Sequence, residues 1–81
     1  MTAYAYVLWS KRLQKRYIGS CRDIEIRLKE HNRGRQRFTK GGIPWVVVYK
    51  EEYPDYSSAR KREVYLKTGQ GRKYLDDVLG D

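Results

Sequence analysis

Apolar and polar positions along this 81-residue chain predict a small sheet of three strands with helices around it. Residues 2–9 alternate tyrosines with small and aliphatic residues, so we expect a strand with Tyr6 on one face. Apolar residues occupy both faces, which favours a central strand, although a helix also fits so short a run. A polar connection leads to a second, antiparallel strand at residues 16–19, which would bring Tyr17 close to Tyr6.

The remaining pattern predicts one more strand and three helical segments. Asp23 is a suitable N-cap for a first helix that ends near residues 32–34. Residues 33–43 form a basic loop or a short helical piece, and residues 45–49 are a strand rich in β-branched and aromatic residues.

We expect residues 51–56 to be an acidic connection, followed by a helix from Ser57 or Ser58 to about Lys67. Glycines at 69 and 71 should break this helix, and residues 72–79 should add one or two helical turns. The predicted order is β-β-α-β-α-α, an α/β fold with a small, mainly antiparallel sheet. At this length we expect one domain over residues 1–81.

Two charged residues fall where a helix should present an apolar side chain. Arg27, with His31 one turn later, lies on the apolar stripe of the first helix, so we expect the cation to face inward. Glu63 lies between apolar residues on the face expected to pack on the sheet. Because a buried charge is costly unless it is paired or metal-bound, these residues indicate a site, unless they form an ion pair with each other.

The net charge of +8 is concentrated in one half of the chain. Positions 11–40 hold eleven Lys and Arg against three Asp and Glu, whereas the rest is neutral. Such a distribution favours a polyanion such as nucleic acid over a solvated surface or an anionic membrane. The candidate phosphate contacts are Lys15, Arg16, Arg33, Arg35, Arg37, Lys40, Arg60, Lys67, Arg72 and Lys73.

The cysteine count and the hydropathy pattern exclude certain kinds of site and certain classes of protein. Cys21 is the only cysteine, which excludes an intramolecular disulfide and a four-cysteine zinc site, and we expect no disulfide-linked partner. No apolar run is long enough to span a bilayer, and the N-terminus lacks a signal-peptide pattern. We therefore expect a cytoplasmic protein that does not enter membranes.

The segment Tyr17-Ile18-Gly19, with Arg27 ten residues after its tyrosine, resembles the GIY-YIG nuclease superfamily. The helix that carries Glu63 and the segment Glu30-His31-Asn32 extend the resemblance over most of the chain. Within the superfamily it resembles the small single-domain bacterial members and the N-terminal domain of the bacterial excision-repair nuclease.

This chain departs from the family pattern in three places. The first signature is Tyr4-Ala5-Tyr6 instead of Gly-Ile-Tyr, so only Tyr6 matches the functional position. Ser20 stands where the excision-repair nuclease has a lysine, and no asparagine follows Glu63 to match one seen late in some members.

The resemblance implies metal-dependent hydrolysis of phosphodiester bonds. Glu63 would hold one Mg²⁺ or Mn²⁺ ion, because such ions take few carboxylates and complete their shell with water and phosphate oxygens. Arg27 would contact the scissile phosphate. The general base is Tyr6, Tyr17 or His31; a tyrosine is favoured, with the phenolate stabilised by Arg27 and the ion, but the choice between the two stays open.

We expect an endonuclease that acts on DNA rather than RNA, in repair or recombination. Its sequence specificity should be low, because no base-reading module is present. Phe38 or Trp45 could stack on an unpaired base, although packing is the favoured use of Trp45. The alternative is a non-catalytic nucleic-acid-binding module with a vestigial site.

Overall fold

The structure, a computed structural model, describes residues 1–80. Three antiparallel strands form one sheet in the order β2-β1-β3, so β1 is central and β2 and β3 are the edges. The predicted order of strands and helices is confirmed, with one added short helix. The elements are β1 (Ala3–Ser10), β2 (Lys15–Cys21), α1 (Ile24–Asn32), α2 (Arg37–Lys40), β3 (Trp45–Tyr53), α3 (Tyr56–Leu66) and α4 (Gly69–Leu79).

Both faces of β1 are covered, as its apolar pattern predicts. Ala5 and Val7 pack on one face against Leu66 of α3 and Leu75 of α4. Alternate residues, including Tyr6, point to the other face, where they meet α1 and the buried Trp45. The sheet therefore separates two small cores, and any site that uses residues from both must reach around a sheet edge.

Strand β3 is longer than its sequence pattern indicates, and the predicted acidic connection at 51–56 is wrong for its first half. Glu51 pairs with Ala5 inside the sheet. Its carboxylate accepts hydrogen bonds from the Tyr49 and Tyr53 hydroxyls and from Arg62 Nε at 2.8 Å. Burial raises the pKa of Glu51, but these hydrogen bonds outweigh it and hold the pKa below its ordinary value. An acidic residue can occupy a strand here because donors surround it.

Helices α3 and α4 begin earlier than predicted. Asp55, not Ser57 or Ser58, caps α3, because its side chain accepts the Ser58 N–H at 2.7 Å. Thr68 caps α4 in the same way through the Gly71 N–H, which includes both glycines in the helix. A Cβ on Gly71 would lie 2.2 Å from the Tyr65 carbonyl oxygen, so this glycine permits the close contact between α3 and α4.

Asn32 joins the end of α1 to the start of β3. Its side-chain Oδ1 accepts the Trp45 N–H at 2.7 Å, and its Nδ2 donates to the Trp45 carbonyl at 3.0 Å. The Trp45 indole donates to the Thr39 carbonyl at 2.7 Å, which ties α2 to the same point. These bonds fix α1 and α2 on one face of the sheet.

No helix within residues 1–80 combines the length and the apolar character needed to cross a bilayer.

We expect Gly71→Ala to lower the free energy of unfolding by about 2 kcal/mol, because the added methyl group meets backbone atoms that cannot move aside. Gly69→Ala is the matched control in the same helical turn, since a Cβ there has no atom within 4 Å. Urea denaturation followed by tryptophan fluorescence measures both. Equal stability of the two variants would contradict the close contact between the helices.

Candidate active site

The Tyr6 ring lies directly over Gly19, its partner across the β1–β2 ladder. A Cβ on Gly19 would lie 2.6 Å from the Tyr6 hydroxyl oxygen, so the glycine permits the ring to extend across β2 toward its free edge. Tyr17 projects from the same face of β2, and its ring centroid is 6.5 Å from that of Tyr6. The predicted proximity of the two tyrosines is confirmed.

His31 is fully buried beneath these tyrosines. Its Nε2 lies 3.2 Å from the Tyr6 hydroxyl, and its Nδ1 lies 2.8 Å from the Thr39 hydroxyl. The Thr39 hydroxyl donates to the Gln36 carbonyl and so accepts from Nδ1–H. We therefore assign the tautomer in which Nε2 accepts the Tyr6 proton.

The ionisation states of this pair follow from burial. Burial lowers the pKa of His31, and the nearby Arg27 charge lowers it further, against an opposing effect of Glu30. Burial and the neighbouring Tyr17 raise the pKa of Tyr6 above its ordinary value; the charges of Arg27 and Glu63 also act on it, in opposite directions. At neutral pH the pair is a neutral phenol donating to a neutral imidazole.

Glu63 is buried on the opposite face of β2, with 6% of its surface exposed. Its Oε1 accepts from Ser20 Oγ at 2.6 Å, and its Oε2 contacts Lys67 Nζ at 2.6 Å and Arg60 Nη1 at 2.8 Å. Burial raises the pKa of Glu63, but the hydrogen bonds from Lys67, Ser20 and Arg60 hold the pKa below its ordinary value. The carboxylate is ionised and fully paired.

Arg27 lies at the margin of a cleft rather than in the core. Its side chain is 36% exposed and contacts Glu30 at 3.3 Å. The expectation that this cation faces inward is therefore wrong. His31 is the one residue of α1 that is fully buried, and the long Arg27 side chain places its charge at the edge of the cleft. Arg27 and Glu63 do not form the alternative ion pair with each other. Arg27 contacts Glu30, whereas Glu63 contacts Arg60 and Lys67.

The cleft beside Arg27 has a volume of about 400 Å³ and includes Cys21 and Tyr56 in its lining. Burial raises the pKa of the Cys21 thiol to about 11, so this cysteine is a neutral packing group. The Tyr56 hydroxyl lies 3.4 Å from Ser20 Oγ, which in turn donates to Glu63. Ser20 and Tyr56 thus connect the arginine cleft to the carboxylate.

Sequence reasoning missed the roles of Ser20, Tyr56 and Thr39. Ser20 drew notice only because it replaces a lysine, although its position directly after Gly19 puts it on the opposite face of the strand. Tyr56 and Thr39 carry no signal in the sequence, because their contacts are with residues 36 and 8 positions away.

The predicted phosphate contacts fall into four groups, nearly all of them exposed. Lys67 and Arg60 contact Glu63. A groove at the free edge of β2 is lined by Lys15, Arg16, Lys67 and Arg72 together with Tyr17 and Phe38. Exposed cations in and around α2 are Arg33, Arg35, Arg37 and Lys40, and Lys73 is exposed on α4. The basic surface therefore adjoins the tyrosines on one side and the carboxylate on the other.

Among the residues of the candidate site, Glu63 is the one carboxylate that could hold a metal ion. Within residues 1–80 no three His, Cys, Asp or Glu residues cluster as a ready-made metal site. Glu63, ionised and linked through Ser20 to the Tyr56 hydroxyl, fits an ion such as Mg²⁺, which takes one or two carboxylates and otherwise water and substrate oxygens.

Comparisons with known proteins identify the family of this chain. Residues 2–75 match the family model of the GIY-YIG catalytic domain. UPF0213 proteins of Staphylococcus aureus strains Mu3 and N315 are each 40% identical to this chain over 60 residues, 73% of either length.

The fold is likewise shared with a solved structure. The solution NMR structure of the UPF0213 protein BH0048 from Bacillus halodurans superposes with a TM-score of 0.57 at 26% identity, covering 96% of this chain and 85% of that one. The chain therefore belongs to the GIY-YIG family and is related to its small UPF0213 members.

Proposed function

We propose that this protein is a Mg²⁺- or Mn²⁺-dependent endonuclease that hydrolyses phosphodiester bonds in DNA with little sequence preference. The observation that carries the proposal is the neutral Tyr6–His31 pair. The charges of the Arg27 guanidinium and of the buried, ionised Glu63 both act on the Tyr6 hydroxyl. A phenol, an imidazole, a guanidinium and a carboxylate supply the base, the phosphate contact and the metal ligand that the reaction needs.

The hydrogen-bond direction supports Tyr6 as the group that receives the proton of the attacking water. A free phenolate is disfavoured, because the pKa of Tyr6 is raised by burial. Instead, the water proton passes to Tyr6 Oη while the Tyr6 proton passes to His31 Nε2, 3.2 Å away. His31 becomes an imidazolium whose Nδ1–H remains on Thr39. Tyr17, whose ring centroid lies 6.5 Å from that of Tyr6, then shapes the pocket.

Arg27 contributes charge at the cleft where the phosphate would lie. Its partner Glu30 is itself partly exposed, so the ion pair is weak and can be exchanged for a phosphate. A guanidinium offers two parallel donors to the non-bridging oxygens, where negative charge grows in the transition state.

Glu63 is the residue that would hold the metal ion, which supplies Lewis-acid stabilisation of the phosphate when bound. Its oxygens are occupied by Ser20, Lys67 and Arg60 in the free protein. We propose that backbone phosphates of bound DNA draw Lys67 and Arg60 away from Glu63. The carboxylate is then freed at the moment when phosphate oxygens become available, so DNA and metal bind cooperatively.

The surface supports binding to backbone rather than to base edges. Cations surround the site, and affinity should fall steeply with salt. DNA repair or recombination in the cytoplasm is the setting that the resemblance to the excision-repair nuclease favours.

Glu63→Gln should reduce metal-dependent cleavage of plasmid and oligonucleotide DNA by at least about 100-fold, while DNA binding is retained. Arg27→Ala should reduce cleavage by about 100-fold or more and weaken binding modestly. The matched control is Glu52→Gln, since Glu52 is an exposed carboxylate on β3. If no protein cuts any substrate with either metal, and all bind DNA equally, the chain is the non-catalytic binding module instead.

Lys67→Gln should strengthen Mn²⁺ binding to the DNA-free protein about three- to tenfold, because a cation in contact with Glu63 is removed. The same change should weaken DNA binding, because a phosphate contact is lost. Electron paramagnetic resonance of free Mn²⁺ and fluorescence anisotropy measure the two affinities. Lys61→Gln, an exposed α3 lysine without a Glu63 contact, should change neither. Equal Mn²⁺ affinity in both variants would contradict the proposed competition.

The only histidine gives a pH dependence with a definite sign. Since the pKa of His31 is lowered in the folded state, the unfolded chain binds a proton below about pH 6.5 that the native protein does not. The free energy of unfolding should therefore fall as the pH drops from about 6.5 to 5, by at most about 1.4 kcal/mol per unit.

Urea denaturation at several pH values tests this, because His31→Gln should be nearly flat across the same window. The paired carboxylates Glu51 and Glu63 have lowered pKa values and lose their contribution only at more acidic pH. NMR of the His31 ring is the second measurement, and titration at or above pH 6.5 would refute the buried neutral imidazole.

A further inference from the structure

The groove along the free edge of β2 shares no lining residue with the arginine cleft. Building on the proposed function, we propose that it binds an unpaired nucleotide of single-stranded DNA beside the scissile phosphate. The substrate class is then single-stranded DNA or the single-stranded part of a larger DNA structure, rather than an intact duplex.

The groove has the size and lining that a nucleotide requires. Its volume is about 830 Å³, within the range of small-molecule sites. One side carries the Tyr17 and Phe38 rings, and the other carries Lys67 and Arg72 from the end of α3 and the start of α4. Aromatic faces opposite cations match the base and the phosphate of one nucleotide.

Phe38 is the feature that the fold alone does not explain. The residue is 86% exposed, although the next residue, Thr39, is fully buried against His31. The buried neighbour holds this part of α2 in place, so Phe38 is presented to solvent on a fixed support. Its ring centroid lies 6.2 Å from that of Tyr17 at an interplanar angle of 58°. A base stacked on Phe38 would also contact the Tyr17 edge.

The cations connect this aromatic platform to the candidate active site. Lys15 and Arg72 have no acidic partner within residues 1–80, which leaves both available for phosphate. Lys67 lines the groove and also contacts Glu63 at 2.6 Å. A strand with one base on Phe38 would therefore place a neighbouring phosphate at Lys67, adjacent to the carboxylate.

Stacking distinguishes an unpaired base from a paired one. In a duplex the faces of each base are covered by its neighbours, so Phe38 can contact only a base that has left the stack. Base–aromatic stacking is tolerant of sequence, which agrees with the low specificity expected from backbone contacts.

The test is DNA binding in the presence of a chelator, so that no cleavage occurs. A short oligo-dT strand and a duplex of equal length, both fluorescently labelled, are titrated against the wild type, Phe38→Ala and Phe38→Tyr. We expect Phe38→Ala to weaken single-strand binding about tenfold and duplex binding less than about twofold, whereas Phe38→Tyr keeps the ring and the affinity.

Matched variants separate the groove from general charge and from exposed apolar surface. Val46→Ala, at an exposed residue on the opposite sheet edge, should change neither affinity. Lys15→Gln and Arg72→Gln should each weaken single-strand binding more than Lys61→Gln does. An oligonucleotide carrying 2-aminopurine should lose fluorescence on binding to the wild type and to Phe38→Tyr but not to Phe38→Ala.

Unchanged single-strand affinity of Phe38→Ala overturns the inference, as does an equal loss for strand and duplex; either result assigns Phe38 to another role, such as contact with a protein. The outcome is independent of catalysis. Phe38-dependent stacking without Glu63-dependent cleavage would sustain the groove and refute the endonuclease, and cleavage without Phe38-dependent stacking would do the reverse.

Discussion

The close approach of the Tyr6 ring to the backbone of Gly19 is the contact on which the candidate site depends. It carries a phenol from the central strand across the edge strand, to a place that residues on β1 could not otherwise reach. Once the ring lies there, His31 can contact it from below, and Glu63 can act on it from around the edge. A side chain at position 19 would remove the space that this arrangement needs.

The second constraint is the rotation of α3 about its own axis. Two neighbouring residues of the helix fix this rotation by contacting different strands. Arg62 points back into the sheet, bonded to Glu51 and held between the rings of Tyr65 and Tyr74 at about 5 Å. Glu63 consequently points toward β2 and meets Ser20. Glu51, which the sequence pattern assigns to a loop, is thus part of the support for Glu63, the candidate metal-binding carboxylate.

The sequence predicts the elements and most of the candidate site because periodicity and local spacing carry that information. Tyr6 and Tyr17 meet as expected, since hairpin pairing brings them together. His31 lies on the inner face of its helix, as the helical spacing predicts, but its contacts with the two tyrosines come from the tertiary fold. Glu63 is buried between Ala59 and Leu66, also as predicted. The environment of Arg27 was mistaken because a stripe on a helical wheel does not say how far a long side chain extends.

What the sequence could not supply are contacts between distant residues. The Ser20–Glu63 hydrogen bond joins positions 43 apart, and the strand continuation through Glu51 depends on donors from α3. The start of α3 at Asp55 is a smaller error, since several polar residues close together can each cap a helix and only the geometry selects one.

Because β2 is hydrogen-bonded to β1 alone, Gly19 and Ser20, which shape the candidate site, lie on a strand that is secured along one side. Transient opening of that ladder would separate Gly19 from Tyr6 and Ser20 from Glu63 while β1, β3 and their packing remain intact. Warming should then disorganise the groups of the candidate site before the domain melts. The free edge beside the candidate site is thus, like the free edge of β3, a place where the native state is open to local fluctuation.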